Sequence, residues 1–321
     1  MERVLITGGL GHIGSAIVRT LTNYDLTICD NLHTQRYCSL FHLEGVKFLD
    51  CDFSNLEEIF LDSFDIVIHL AAITDAASSF DNPDKVLDVN VVKTIEFLEK
   101  VDKSNVKLMI FPSSTSIYGT SDKEVNESDK YINPQSPYAE SKIAVEKFIR
   151  RKVRNTNYLI FRLGTIHGIS NGMRFHTAIN KFCYQAAFSS PLTVWKQNYH
   201  HYRPYLHLGD FCELIKSSLL CNVEYNETYN ILTRNYKLSE VVEEIKYRVN
   251  HLNIKFIDTP LVNQYSYKVN GDRILSNSSW VPRGKLSHSI IETLELLGYE
   301  NINYGRERQV SSKNNKIKSE T

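Results

Sequence analysis

Tyr138 and Lys142 are the two residues whose types and spacing best suit proton transfer. The segment Tyr138-Ala139-Glu140-Ser141-Lys142 follows Pro137, and because proline favours the first turn of a helix, we predict a helix from about Tyr138 to Arg154. Residues four apart share a helix face, so the phenol and the ammonium can point into one cleft. A free phenol has a pKa of about 10, and a nearby cation lowers that value. Taken alone, such a pair is equally typical of a surface helix.

A third partner for this pair lies upstream, in the hydroxyl-rich segment Ser113-Ser114-Thr115-Ser116. It follows the apolar run Lys107–Phe111, which predicts a strand. Ligands of open α/β sheets bind beyond the carboxyl ends of the strands, and we expect both this segment and the Tyr138 helix to lie there. A hydroxyl beside a phenol can hold a substrate oxygen while its proton moves.

The N-terminus has the pattern of a dinucleotide site. The apolar run Val4–Ile6 precedes the glycine-rich turn Thr7–Gly14, a helical pattern covers Ser15–Leu21, and a second strand, Leu26–Cys29, ends on Asp30. Glycines at a helix N-terminus let backbone N–H groups approach a diphosphate, and an acid after the second strand can bind both hydroxyls of a ribose. An ordinary glycine turn in another α/β domain is the alternative.

Strands and helices alternate through the first half of the chain, which predicts an α/β fold: a Rossmann-type doubly wound parallel sheet with helices on both faces. Further strands are predicted at Val46–Leu49, Asp65–Leu70, Lys107–Phe111 and Tyr158–Arg162, and helices at Asn55–Leu61 and Asp84–Asp102. We therefore expect residues 1–165 to form a dinucleotide-binding domain of this Rossmann type.

The pattern beyond residue 165 indicates a smaller mixed lobe. Helices are predicted at Thr177–Phe188, Asp210–Leu220, Ser239–Asn250 and Ser287–Leu297, and short strands at Leu192–Trp195, Tyr229–Ile231 and Lys255–Ile257. We expect residues 166–300 to be mainly a substrate-binding lobe, with some later segments returning to the first domain. Residues 305–321 are polar and lysine-rich, which is typical of a disordered tail.

Composition limits the classes of function. The 321 residues carry a formal net charge of zero and 23% charged residues, so no basic surplus favours nucleic acid. No apolar run approaches the roughly 18 residues of a membrane span, and the chain starts with a core strand rather than a signal peptide. The six cysteines include no CxxC pair, so we expect no metal site and a cytoplasmic protein.

Taken together, these motifs resemble the extended short-chain dehydrogenase/reductase family, and within it the NAD-dependent nucleotide-sugar epimerases and dehydratases. The resemblance extends to about Leu297. It rests on the following segments: Thr7–Gly14, Asp30-Asn31-Leu32, Asp52-Phe53, His69–Ala72, Asn90-Val91 with Thr94, Ser113–Gly119, Tyr138 with Lys142, Arg162, and Arg203–Asp210.

The resemblance implies roles for individual residues. It makes Ser114, Tyr138 and Lys142 catalytic, with Tyr138 as the acid/base. The implied NAD contacts are Gly8, Gly11, His12, Ile13, Gly14, Asp30, Asn31, Asp52, Phe53, Leu70, Ala71, Ala72, Ser113, Tyr138 and Lys142. The implied contacts of a nucleotide-diphosphosugar are Thr74, Ser114, Thr165, Arg174, Asn180, Trp195 and Arg203, of which Arg203 suits a diphosphate. Trp195 fits a simple core position equally well.

Departures from the family pattern narrow the reaction. Dehydratases of the family carry Asp-Glu directly after the catalytic hydroxyl residue, whereas this chain has Thr115-Ser116, and neither ionises as an acid near neutral pH. We therefore expect oxidation at C4 of the sugar by a 4-epimerase or 4-dehydrogenase. A 4-keto reductase, a 4,6-dehydratase and a non-catalytic nucleotide-binding protein remain alternatives.

The family also implies a homodimer, built from the helices predicted at Asp84–Asp102 and Tyr138–Arg154. Apolar residues on more than one face of the first helix favour a partner subunit there.

Overall fold

The central sheet brings the ends of its strands together along one edge. The computed structural model describes residues 1–76, 78–130, 132–258 and 266–305. Seven parallel strands form the sheet: β1 (Arg3–Thr7), β2 (Asp25–Asp30), β3 (Lys47–Asp50), β4 (Ile66–His69), β5 (Leu108–Ser114), β6 (Asn157–Leu163) and β10 (Glu227–Ile231). Their order is β10-β6-β5-β4-β1-β2-β3. This order reverses direction between β1 and β4, so the segments that follow these two strands leave a crevice between them.

Alternation along the strands places apolar side chains on both faces of this sheet, because successive residues of a strand point to opposite sides. Val4 and Ile6 of β1 belong to the core cluster on one face, whereas Leu5 belongs to the cluster on the other. The fully buried β4 has four buried residues in a row, as expected for a strand covered on both faces. The predicted Rossmann-type α/β fold is confirmed.

Helices cover both faces. They are α1 (His12–Thr20), α2 (Glu58–Leu61), α3 (Pro83–Leu87), α4 (Thr94–Lys103), α5 (Pro137–Lys152) and α7 (Leu208–Leu219). Residues of α7 contribute to the core that contains Val4, whereas Phe97 of α4 and Val145 of α5 belong to the core that contains Leu5.

Two helices differ from the prediction. The long helix expected at Asp84–Asp102 contains a π-helical stretch at Asp88–Lys93 between α3 and α4, where the hydroxyl of Thr94 donates to the carbonyl of Val89, five residues earlier. The helix expected at Asn55–Leu61 is a 3₁₀ turn at Phe53–Asn55 followed by α2. The turn is capped by Asp52, whose carboxylate accepts from Ser54 N.

The remaining elements, except α9, form the C-terminal lobe. Its strands are β7 (Thr165–His167), β8 (Leu192–Trp195), β9 (Tyr202–His207), β11 (Arg234–Lys237) and β12 (Ile254–Ile257), and its helices are α6 (Ala178–Ala187), α8 (Leu238–Arg248) and α10 (Leu286–Leu296). The short helix α9 (Asp272–Ser276) packs on β10 instead, and its Ile274 belongs to the core that contains Val4. Over the described residues these strands form two small sheets, β11-β9-β7 and β12-β8. The smaller mixed lobe is as predicted, whereas the short polar strands β7, β9 and β11 were missed.

The chain crosses between the two parts more than once, since β10 pairs in parallel with β6 and so returns to the main sheet. The tail predicted at 305–321 lies, apart from Gly305, outside the described residues. Within the described ranges no helix combines the length and the apolar character that a membrane span needs.

Candidate active site

A cavity of about 650 Å³ opens at the carboxyl ends of the main strands and extends toward the C-terminal lobe. All but one of the residues expected to form the site line it, and they come from both halves of the chain. They are Gly8, Gly11, His12, Ile13, Gly14, Asp30, Asn31, Asp52, Phe53, Leu70, Ala71, Ala72, Thr74, Ser113, Ser114, Tyr138, Lys142, Thr165, Arg174, Trp195 and Arg203. Asn180 is the exception: it is fully buried, and its amide donates to the carbonyl of Arg174 at 3.0 Å.

The glycine turn lets the segments after β1 and β4 approach each other closely. Gly8 has a φ of +67°, and a Cβ atom there would lie 2.6 Å from the amide nitrogen of Ala71. A Cβ on Gly14 would lie 2.6 Å from the Cα of Gly9. No side chain caps the N-terminus of α1 at Gly11, so the free N–H groups of its first turn can bind an anion. This turn fits the diphosphate of a dinucleotide.

Two carboxylates, Asp30 and Asp52, line the cavity near the ends of β2 and β3. Asp30 accepts from Leu10 N at 3.1 Å and from Leu32 N at 3.0 Å, which fixes its carboxylate at the end of β2. Asn31 donates to Asp52 at 3.0 Å. Burial alone would raise the pKa of Asp52, but hydrogen bonds from Ser54 and Asn31 outweigh burial and lower it. These acceptors suit ribose hydroxyls, and the donor set as a whole fits NAD.

Small residues form the wall next to β4, and the π-helical stretch holds them in place. Asn90 lies in that stretch and makes two bonds with Ile73, accepting from its N–H at 2.8 Å and donating to its carbonyl at 2.9 Å. Asn90 also donates to Ser141 of α5 at 3.3 Å. Asn90 thereby ties Ile73, the residue that follows Leu70–Ala72, to α5, the helix that carries Tyr138.

Phe53 is positioned more as a core residue than as an open face for adenine. It is 5% exposed, and its ring packs edge-on against His69 and Phe97, with centroid distances of 4.8 and 5.5 Å. Only the part of the ring that lines the cavity can contact a ligand.

Tyr138 and Lys142 lie one turn apart near the start of α5. Ser136 caps this helix by accepting from Ala139 N at 3.2 Å, and Pro137 occupies its first position. The ammonium of Lys142 lies 5.8 Å from the centre of the Tyr138 ring and donates to the carbonyl of Pro112 at 2.9 Å. This hydrogen bond joins α5 to β5 at two residues that line the cavity.

Burial keeps the Tyr138 phenol protonated near neutral pH. Burial raises the pKa of Tyr138 to about 12, while hydrogen bonding with Ser114 and the cation of Arg174 act in the opposite direction. The described cation that lowers this pKa is thus Arg174, whereas the sequence had suggested Lys142. Burial lowers the pKa of Lys142 to about 8, and attraction to Glu146 partly offsets it.

The hydroxyl residues after β5 have distinct partners. Ser114 and Ser116 are within hydrogen-bond distance through their hydroxyls, at 2.9 Å. Thr115 is buried and donates to the carbonyl of Leu163 at 3.1 Å, with the hydroxyl of Tyr267 at 3.2 Å. Ser113 does not point its hydroxyl at the cavity centre, since it donates to Glu146 at 2.5 Å.

The site residues predicted from the sequence did not include Arg36, His176 and Tyr267, which also line the cavity. Arg36 and Arg174 repel each other and both lie near His12, whose pKa burial and these cations lower to about 3. A cluster of positive charge therefore faces the cavity near the glycine turn and suits phosphate groups. Only the fold brings Tyr267 to Thr115, because they are 152 residues apart.

A family model and solved structures match most of this chain. The model of the family described as "NAD dependent epimerase/dehydratase family" matches residues 4–231. A protein of Methanocaldococcus jannaschii, provisionally named a UDP-glucose 4-epimerase, is 27% identical over 266 residues, which cover 80% of this chain and 86% of that protein.

Two solved structures share the fold. The UDP-glucuronic acid 4-epimerase of Bacillus cereus, in complex with UDP-glucuronic acid and NAD, superposes with a TM-score of 0.82 at 21% identity and covers 92% of this chain and 99% of that one. The NAD-dependent NDP-hexosamine 5,6-dehydratase TunA, from tunicamycin biosynthesis, gives a TM-score of 0.83 at 22% identity and covers 94% and 99%. At these identities the likeness establishes the fold and leaves the reaction open.

Proposed function

The chain belongs to the NAD-dependent epimerase/dehydratase family of enzymes, and we propose that it is a 4-epimerase of a nucleotide-diphosphosugar with Tyr138 as its acid/base. The observation that carries the proposal is that Ser114, Tyr138 and Lys142 line one cavity. The same cavity is lined by the glycine turn, which suits a dinucleotide, and by Arg203, which suits a second phosphate-bearing ligand.

The chain's residues divide the chemistry between them. Tyr138 as phenolate accepts the proton of the C4 hydroxyl, while Ser114 holds the same oxygen by a hydrogen bond. NAD, when bound, supplies the acceptor for the hydride of C4 and the donor that returns it. The C4 oxygen gains its proton back from Tyr138 after the keto sugar has presented its other face. Oxidation and reduction then balance, so the cofactor is unchanged after each turnover.

Positive charge is what allows Tyr138 to act as a base. With a pKa of about 12 the phenol is almost wholly protonated at neutral pH, and each nearby cation stabilises its anion. Arg174 already does so in the described structure. We propose that Lys142 would hold the ribose of the nicotinamide half, and that the oxidised cofactor, when bound, would supply further positive charge to stabilise the phenolate.

The substrate side is proposed to be the second lobe. Thr74 and Arg174 are hydrogen-bonded to each other at the cavity, and Arg203 and Trp195 line its far part, on β9 and β8. We assign the guanidinium of Arg203 to the diphosphate of the sugar nucleotide. Residues 1–165 would then hold NAD, and 166–300 would form most of the substrate site.

The lining supports an epimerase over a dehydratase. Among the described residues that line the cavity, the carboxylates are Asp30, Asp52 and Asp75, and none of the three affects the pKa of Tyr138. The positions after Ser114 carry Thr115 and Ser116, which form hydrogen bonds but supply no acid. Loss of water from the sugar would need such an acid.

The test is turnover on defined sugar nucleotides. The full-length protein is incubated with catalytic NAD and, in turn, UDP-, GDP-, CDP- and dTDP-sugars, and products are resolved by NMR. The proposal predicts interconversion of two C4 epimers with no net accumulation of reduced cofactor. Stoichiometric reduced nicotinamide would indicate a 4-dehydrogenase instead, a 4-keto-6-deoxy product would indicate a dehydratase, and no turnover of any sugar would contradict the proposal.

A further inference from the structure

Glu146 is a buried carboxylate in the same helix face as the proposed catalytic pair. It lies four residues after Lys142 and eight after Tyr138 on α5, so the three side chains form one stripe along the helix. Glu146 is 0% exposed and lies below the residues that line the cavity. Its position suggests an action through other residues, because it cannot touch a ligand directly.

Both oxygens of this carboxylate are fully used. Oε1 accepts from the hydroxyl of Ser113 at 2.5 Å and from Nε of Arg162 at 3.0 Å. Oε2 accepts from Nη2 of Arg162 at 2.8 Å and from Nη2 of Arg150 at 2.7 Å. Arg162 in turn donates to the hydroxyl of Tyr118 at 2.8 Å. A two-bond contact between a planar guanidinium and a carboxylate fixes the orientation of both groups.

This pair connects to the cavity through β5. Ser113 follows Pro112, and the carbonyl of Pro112 accepts the hydrogen bond from Lys142 at 2.9 Å. The Lys142 ammonium also lies 4.8 Å from the centre of the Phe111 ring. Three successive residues of β5 therefore contact either Lys142 or Glu146, so the two side chains are connected through this strand.

We propose that Glu146 is a positioning residue for the reaction: its carboxylate fixes the hydroxyl of Ser113 at the end of β5 and keeps the proton on the buried nitrogen of Lys142. The consequence for turnover rests on the proposed function, whereas the titration of Lys142 itself does not.

Among the charged and titratable groups around Lys142 and Glu146, Glu146 is the one that favours the protonated form of Lys142. The titratable and charged neighbours come from four elements: Tyr138 and Arg150 on α5, Arg162 on β6, Tyr118 after β5 and His69 on β4. Burial and the Lys142 cation lower the pKa of His69 to about 3, so it is neutral near pH 7. Burial raises the pKa of Tyr118 to about 12, so it is neutral as well. Glu146 is the group whose attraction opposes the effect of burial on Lys142.

The direct test is the titration of Lys142 by NMR, in full-length protein with ε-¹³C lysine, with and without NAD. The signal that disappears in Lys142→Met identifies the residue. We expect a pKa of about 8 in the parent and a pKa lower by about 1 or more in Glu146→Gln, since an opposite charge at close range changes a pKa by about that much. Glu140→Gln, at an exposed carboxylate of the same helix, is the matched control and should change nothing. Glu146→Asp keeps the charge and should restore most of the parent pKa.

Turnover gives the second readout. The alkaline limb of the kcat profile should move to lower pH in Glu146→Gln, and kcat above that limb should fall about tenfold for every pH unit by which the limb moves. In Glu146→Asp the alkaline limb of the kcat profile should lie close to its position in the parent enzyme. If Glu146→Gln does not fold because Arg162 loses its counter-charge, Glu146→Gln is combined with Arg162→Met and compared with Arg162→Met alone, and the pKa of Lys142 should be lower in the double variant than in Arg162→Met.

An unchanged Lys142 titration in every folded Glu146 variant would overturn the inference. If no sugar nucleotide turns over in the parent, the proposed function fails, and the NMR titration still decides the role of Glu146. If the titration is unchanged while the parent epimerises, the inference fails and the proposed function stands.

Discussion

Lys142 places its ammonium nitrogen 5.8 Å from the centre of the Tyr138 ring, and it donates to a backbone carbonyl of β5 rather than to the phenol oxygen. The cation that lowers the pKa of Tyr138 in the described structure is Arg174, from the segment before α6. The two cations are therefore distinguishable: Lys142 is hydrogen-bonded to β5, whereas Arg174 belongs to another segment and is hydrogen-bonded to Thr74.

Replacement of Arg174 tests this division. Arg174→Met removes the cation that opposes burial at Tyr138, so the pKa of the phenol should rise and the acid-side limb of the kcat profile should move to higher pH. Substrate KM should rise as well, because Arg174 bonds to Thr74 at the cavity. Arg151→Met, at an exposed arginine of α5, serves as the control. An acid-side limb that stays in place would remove Arg174 from the account.

Cofactor choice should follow from Asp30. Its carboxylate is held by two backbone N–H groups at the end of β2, where it suits ribose hydroxyls and repels a 2′-phosphate. We expect calorimetry to show clearly tighter binding of NAD than of NADP, and Asp30→Asn to narrow the difference. Comparable affinities in the parent protein would show that Arg36, which also lines the cavity, accommodates the phosphate.

Acid should destabilise the fold through its buried histidines. Burial lowers the pKa of His167 from 6.5 to about 3, so below pH 6.5 the unfolded chain binds a proton that the folded chain does not. Stability must then fall as the pH falls from about 6.5 toward 3. For one such histidine the loss between pH 7 and pH 5 is about 2 kcal/mol.

Urea unfolding at the two pH values measures this loss. His167→Gln can keep a contact with Ser289, which lies 2.8 Å from the ring of His167, and should lower the dependence on pH by about 2 kcal/mol. His33→Gln, at an exposed histidine, should leave it unchanged. Equal pH dependence in both variants would show that His167 is not protonated on unfolding in this range.

The homodimer stays a prediction. Leu87 and Val92, at the end of α3 and in the π-helical stretch, are 40% and 51% exposed, on the helix that the sequence assigned to the subunit contact. Sedimentation at micromolar protein should show a dimer, and Val92→Glu should shift it to monomer by placing a charge in the contact. Ile59→Glu, on α2, is the control for an exposed apolar residue elsewhere. A monomeric parent would contradict the prediction.

Short-range patterns were enough to predict the main sheet and much of the site. The glycines, the acid after β2 and the Tyr138–Lys142 spacing are local features of the sequence. Each can be interpreted without the fold, because a tight turn, a strand end and a helix face are each defined by a few neighbouring residues. The polar strands β7, β9 and β11 gave no apolar pattern, and the hydrogen bond between Thr115 and Tyr267 joins residues far apart in the chain. The partner of Ser113 was also missed, because only packing of α5 on β5 shows that its hydroxyl turns to Glu146.

The same limit explains the outcome for Asn180. The resemblance implied a ligand contact for Asn180, but the side chain turns inward and donates to the carbonyl of Arg174. The sequence alone cannot distinguish a helix face that packs on the core from one that lines a cavity, because both faces show the same mixture of apolar and small polar residues.

The central claim is that Tyr138 transfers the proton at C4. The most direct measurement is single-turnover oxidation of the identified sugar nucleotide, followed by the absorbance of reduced nicotinamide, in Tyr138→Phe and in Tyr247→Phe, an exposed tyrosine outside the cavity. Because general acid–base groups contribute about a hundred- to ten-thousand-fold, Tyr138→Phe should lower the rate at least about a hundredfold while NAD still binds, and Tyr247→Phe should keep the parent rate. A Tyr138→Phe enzyme that retains most of its rate would contradict the account.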